Sequence, residues 1–304
     1  MDQSKFFKTQ KKVNPNLFLD EGIISFRADT KFLSKINKCI IELFEFNEKK
    51  KFKNILEIKN FLNKTNFYKL NKNINIMTKI EKIVYNYFYK KKIINKDIHG
   101  IQYPMDIRII HPLEPKKLKS KKYLTSSIHC DTWTEEPPDI INVIMYLVVN
   151  KNTSRVSLLE TNEKELLEYS KYQNFYKNKF FLYSKKYFSI LNKLKLKKPN
   201  KIKHVNGQIL IFNGYVPHQT VRKGNEVRIS LEFRLKTKNP YKETKNWKNT
   251  NNHGRYWLLP NGIDDNFSKR IKNEKIKINK MKDSKNLINL RNKEIKKNET
   301  FQNF

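Results

Sequence analysis

Alanine occurs once in this 304-residue chain, at Ala28, and glycine only seven times. Cysteine is scarcer than a disulfide framework needs: Cys39 and Cys130 are the only two, which excludes the small cystine-stapled secreted scaffolds. No apolar run reaches the ~20 residues of a membrane span, and Met1 to Lys12 lacks a signal-peptide core, so a reducing cytoplasm is the expected location. Acidic residues are few as well, 29 against 64 Lys plus Arg, for a net charge of +35. Such a surplus ordinarily points to nucleic acid or another polyanion. Here the lysines run through the whole chain among Asn, Ile, Phe and Tyr instead of forming one arm, as compositional bias would spread them. An anionic ligand or nucleic acid stays open as a partner.

What is present is a small set of chemically purposeful residues. His129-Cys130-Asp131 closes a run from Tyr123 to Ile128 whose β-branched and aromatic content favours a strand, and Pro137-Pro138 breaks the chain soon after. Residues i and i+2 of a strand project from one face, so His129 and Asp131 can converge on one ion. His218 lies far downstream, with Arg228 ten positions on and Ser230 two beyond it. A His-x-Asp pair alone is a common accident; the five residues together are not. Two imidazoles and one carboxylate on a single face of an octahedral ion leave the opposite face open, the arrangement of non-haem Fe(II) oxygen chemistry. Arginine is rare here, nine of the 64 basic residues, so a position that stays Arg is one that needs the planar fork. Arg228, with the Ser230 hydroxyl on the same strand face, suits the far carboxylate of a small dicarboxylate.

These five residues resemble the iron- and 2-oxoglutarate-dependent dioxygenases over roughly residues 100 to 237, and Arg228-Ile-Ser-Leu-Glu-Phe-Arg234 resembles the phytanoyl-CoA hydroxylase-like branch. The resemblance implies a double-stranded β-helix, Fe(II) held by His129, Asp131 and His218, and 2-oxoglutarate chelating that iron while its far carboxylate meets Arg228. Oxidative decarboxylation to succinate would then drive hydroxylation of a small or carrier-linked metabolite. Asp131 argues against halogenation, because halogenating relatives replace that carboxylate with a small residue. Strand parity puts Tyr123, Thr125 and Ser127 on the face of His129, so they are candidates to contact 2-oxoglutarate, as are Asn142 and Tyr146 on the following strand. Trp133 and Arg222 are the candidate substrate contacts. A different class of function also fits the composition: a non-catalytic, basic, cupin-like protein binding an anionic ligand or nucleic acid.

The pattern around these residues predicts a mixed α and β fold. Glu226, Arg228, Ser230, Glu232 and Arg234 alternate with Val227, Ile229, Leu231, Phe233 and Leu235, a period of two that leaves one wholly apolar face to be covered. Helices predicted within residues 1 to 100 supply the cover: Phe32, Leu33, Ile36, Cys39, Ile40, Leu43 and Phe44 follow Asp29-Thr30 at helical spacing, and Ile76, Ile80, Ile83, Val84 and Tyr87 repeat it. Residues 101 to 237 form the predicted β-helix core, with a helical insertion at about 161 to 200 capping the cleft. Residues 238 to 304 read as a basic extension, partly helical or disordered. Arg228 has a duller reading too, as a surface ladder contact to Glu226 or Glu232. His99, His111, His204 and His253 have no partner pattern and read as structural or exposed.

Overall fold

The computed structural model describes residues 23–65, 68–94, 98–103, 105–112, 128–131, 140–159, 202, 204–214, 216–221, 224–237 and 256–258. Strand β1 (Ile23–Arg27) leads into helices α1 (Thr30–Glu48), α2 (Ile55–Asn63) and α3 (Ile74–Lys90). Eight strands follow: β2 (Ile98–Tyr103), β3 (Asp106–Ile110), β4 (Ile140–Val148), β5 (Arg155–Leu158), β6 (Gln208–Asn213), β7 (His218–Val221), β8 (Arg228–Thr237) and β9 (Tyr256–Leu258).

Each helix begins where a short polar side chain can satisfy free backbone amides. The Asp29 carboxylate accepts from Phe32 N, Asn54 from Leu56 N and Glu57 N, and Asn73 from Asn75 N and Ile76 N. Lys49 ends α1 in the left-handed region at φ 54°, where its N–H still reaches the Glu45 carbonyl.

The strands form a seven-stranded antiparallel sheet and a two-stranded one. In the larger sheet β1, β6, β4 and β8 lie in that order; β3 and then β2 pair along the other edge of β8, and β9 pairs with β2. In the smaller sheet β5 pairs with β7, and an isolated bridge joins His129 to His218. Register settles which side chains share a face. Asn142 lies opposite Phe212 and Arg234, Tyr146 opposite Ser230, and Arg108 opposite the same Ser230. One face of the larger sheet is therefore polar along β8 and the other apolar.

Helices cover the apolar face. Ile229, Leu231, Phe233 and Leu235 of β8 share one buried cluster with Val143 and Met145 of β4, Ile36 and Phe44 of α1, and Ile80 and Val84 of α3. The Phe88 and Phe233 rings meet edge to face at 5.4 Å, tying α3 to β8. Burial on both sides explains why β4 is apolar at nearly every position, unlike the half-polar β8. Glycine is required in the turn before β8: Gly224 has φ +74°, and a Cβ there would come within 2.0 Å of the Asn152 carbonyl oxygen.

Two strands fall where sequence periodicity gave helix or no order. The first, β1, is five residues long and edges the sheet from within the otherwise helical N-terminal region. The second, β9, lies in the basic C-terminal extension. Among the described residues, no helix is long and apolar enough to cross a membrane. The predicted insertion at 161 to 200, the run from Tyr123 to Ser127 and the tail beyond 258 lie outside the described residues.

Candidate metal centre and carboxylate pocket

Backbone pairing brings the two histidines together. His129 N donates to His218 O at 2.8 Å and His218 N to His129 O at 2.7 Å, so the two residues sit directly opposite as a hydrogen-bonded antiparallel pair. Their rings consequently share one face, with centroids 4.3 Å apart. Asp131 joins them from a 3₁₀ position just past the bridge, with its carboxylate on the histidine side. Asp131 Oδ1 lies 3.8 Å from His129 Nε2 and 3.4 Å from His218 Nε2.

The donor set fits a metal. One ligand atom from each of His129, Asp131 and His218 lies within 4.8 Å of the other two, and all three residues are buried. The 3.8 and 3.4 Å from Asp131 Oδ1 to the two histidine nitrogens lie within the ~4 Å that an ion binding each donor at about 2 Å can span. His218 Nδ1 is 2.9 Å from the Val216 carbonyl, which can only accept; Nδ1 therefore donates to it, and Nε2 is the ring atom turned toward Asp131. Phe212 packs on the His218 ring at 5.0 Å, walling that side with hydrocarbon.

Charge is balanced tightly around the acid. Burial alone would raise the Asp131 carboxyl, but His218, Arg234 and His129 outweigh it and hold the group well below the usual carboxylate range. Arg234 Nη2 stands 3.6 Å from Asp131 Oδ2, the oxygen turned away from the histidines. Arg234 was visible in the alternation along β8, yet nothing in the sequence paired it with a residue about a hundred positions earlier. Across β4, Asn142 is 2% exposed, and neither its amide nitrogen nor its amide oxygen is hydrogen-bonded among the described residues. Leaving such a group unmade costs about 1–3 kcal/mol, so a buried Asn of this kind awaits a polar ligand.

A second cluster occupies the N-terminal half of β8. Arg228 is fully buried, its guanidinium 5.7 Å from the Tyr146 ring, and His204 packs edge-on against that ring at 5.2 Å. Burial pushes the Tyr146 phenol up to about 12, keeping it a neutral group at physiological pH. Arg228 Nη2 donates to Glu232 Oε1 at 2.9 Å and Ser230 Oγ donates to the same oxygen at 2.8 Å. Arg108 Nη1 on β3 reaches the other oxygen, Oε2, at 2.8 Å. The Arg228–Glu232 pairing does form, then, but in the interior and not as the surface contact of the duller reading. Burial would raise the Glu232 carboxyl; Arg108 and Arg228 more than offset it and bring it down to about 2.

Of the other sequence candidates, Tyr123, Thr125, Trp133 and Arg222 lie outside the described residues. Cys130 is buried between His129 and Asp131 in sequence and Cys39 sits in the helical core; neither forms a disulfide among the described residues. Burial raises each thiol above its ordinary value, which keeps them in the un-ionised form.

The sequence matches no protein-family model and no curated protein. Among solved structures, it is similar to the non-heme alpha-ketoglutarate-dependent carbocyclase SnoK from nogalamycin biosynthesis, at 9% identity and a TM-score of 0.46, covering 78% of this chain and 86% of that one. It is also similar to an N-substituted L-amino acid dioxygenase from Burkholderia ambifaria AMMD, at 12% identity and a TM-score of 0.31, covering 53% of this chain and 64% of that one. The complex of such a dioxygenase with alpha-KG, from the same bacterium, gives 10% identity and a TM-score of 0.29 over 77% and 78% of the two chains. Likenesses this slight carry no assignment, which stands on the geometry of the site itself.

Proposed function

We propose that this chain is a non-haem iron oxygenase that couples oxidative decarboxylation of 2-oxoglutarate to hydroxylation of a small or carrier-linked metabolite. The observation that carries the reading is the buried convergence of His129, Asp131 and His218, with ligand atoms all within 4.8 Å. The strand order supports the double-stranded β-helix that such a site requires: β3, β8, β4 and β6 are neighbours in one sheet, and His129, β7 and β5 in the other. The closing run Arg228-Ile-Ser-Leu-Glu-Phe-Arg234 supports a phytanoyl-CoA hydroxylase-like branch. We further take residues 1–100 as a cover packed on residues 101–237, with 238–304 as an extension.

The roles follow from position. His129, Asp131 and His218 would hold Fe(II), which when bound supplies the oxygen-activating chemistry at the face they leave open. The Val216 carbonyl orients His218 so that Nε2 would be its ligand atom, and Arg234, paired with Asp131 Oδ2, would leave Oδ1 for the ion. Arg228 and Ser230 are the donors for the far carboxylate of 2-oxoglutarate, and Asn142 would hydrogen-bond the cosubstrate or substrate between that pocket and the metal. Tyr123 and Thr125 remain proposed cosubstrate contacts, and Trp133 and Arg222 proposed substrate contacts. The net charge of +35 leaves room for an anionic substrate. Two cysteines outside any disulfide among the described residues, and an oxidisable metal, suit a reducing cytoplasm.

The test is product formation. With Fe(II), 2-oxoglutarate and air, the protein is expected to release succinate slowly even without substrate, and His218→Ala is expected to release none. Absence of succinate from folded, metal-loaded wild type across a panel of anionic and carrier-linked metabolites would overturn the reading.

A further inference from the structure

The two donors assigned to the cosubstrate carboxylate already hold a carboxylate of the protein's own. Arg228 Nη2 and Ser230 Oγ converge on one oxygen, Glu232 Oε1, at 2.9 and 2.8 Å, while Arg108 takes Oε2 at 2.8 Å. Two arginines and a hydroxyl around a single acid is the recognition chemistry that a bound dicarboxylate would present. Ser230 has a single hydroxyl proton, already given to Glu232 Oε1, so a second carboxylate gains that donor only when Glu232 gives it up.

Resting on the reading of Arg228 and Ser230 as cosubstrate donors, we propose that Glu232 is an internal competitor for the cosubstrate's far carboxylate, setting both affinity and selectivity for dicarboxylic 2-oxo acids. Geometry shows how it yields. Arg228 is 0% exposed and can be served only by a group in the interior, whereas the Arg108 side chain is 37% exposed and reaches water. When the cosubstrate takes Arg228 and Ser230, Glu232 turns toward Arg108, keeping one charged partner and gaining solvent. The ligand thus binds to the fraction of molecules in which Oε1 has left Arg228, and its apparent affinity falls by that fraction. A 2-oxo acid with no second carboxylate does not meet Glu232 at all. Wild type therefore discriminates less between 2-oxoglutarate and 2-oxobutyrate than its two arginines would by themselves.

The experiment is calorimetric titration of Mn(II)-loaded protein with 2-oxoglutarate and, separately, with 2-oxobutyrate. Glu232→Gln is expected to bind 2-oxoglutarate about tenfold or more tighter than wild type, with 2-oxobutyrate unchanged to within about twofold. An equal tightening of both acids would mean a general field effect and would overturn the proposal, as would unchanged or weaker 2-oxoglutarate binding; the oxygenase reading survives these results. Failure of wild type to take up Mn(II) or either acid would sink that reading and this proposal together. Should the Gln variant not fold, Glu232→Asp carries the test: its acid is one methylene shorter, and the ratio of the two affinities is expected to move the same way by a smaller factor.

Discussion

Strand β8 carries two rows of side chains that are equally dry and chemically opposite. Toward the helices stand Ile229, Leu231, Phe233 and Leu235, none more than 1% exposed; on the other side Arg228 and Ser230 are 0% exposed and Glu232 6%. The first row stabilises the fold simply by leaving water, at about 25 cal/mol per Å² of apolar surface. The second gains only if each buried charge meets a partner of good geometry, and replacing such a set by hydrocarbon is often neutral or better for stability. A strand that keeps its charged row at that cost is a candidate for chemistry on its interior face.

The difference between the faces is testable by truncation. Phe233→Ala is expected to cost about 3–5 kcal/mol in urea denaturation, because it empties volume between α3 and the sheet, while Mn(II) affinity stays within about twofold. A large loss of metal affinity in that variant would mean that the faces are not separable. Next door, Glu232→Leu is expected to cost a similar ~3–5 kcal/mol by leaving the Arg228 charge without its internal counter-ion. Adding Arg228→Met should restore most of that loss; two penalties that merely sum would show that the charges are not coupled.

Acid should distinguish the rows next. Glu232 is held at about 2, below its ordinary 4.5, so on acidification the unfolded chain binds this proton first. Its contribution is fully present above pH 4.5 and is lost as pH falls toward 2. Wild type should therefore lose stability more steeply across that window than the Arg228→Met/Glu232→Leu protein; parallel losses would contradict the assignment. The smallest effect belongs outside both rows, where Lys79 and Glu42 pair at 2.8 Å with side chains 57% and 43% exposed. Lys79→Ala is expected to leave stability almost unchanged, with any loss shrinking further as salt is raised.

Much of this was legible in the residues before any coordinates. The period of two along β8 identified its faces, the helical spacing after Asp29 identified the apolar stripe of α1, and His129, Asp131 and His218 could be grouped from residue type and spacing. Local signals ended where pairing became non-local. No spacing rule places Ile23–Arg27 against Gln208–Asn213, since that partnership spans the chain and Ile-Ile-Ser-Phe-Arg is too short to declare itself a strand. Parity likewise put Glu232 on the face of Arg228 without telling whether water reached it. A glutamate on a polar face reads as solvated by default, and only the arrival of β3 with Arg108 makes it an interior acid.

The most direct measurement is the visible spectrum of the protein under anaerobic Fe(II) with 2-oxoglutarate. A weak metal-to-ligand charge-transfer band is expected in wild type and should vanish in both His129→Ala and His218→Ala while their circular dichroism is unchanged. A folded wild type that shows no band and binds neither Fe(II) nor 2-oxoglutarate, or a band that survives the loss of either histidine, would contradict a metal centre at these three residues.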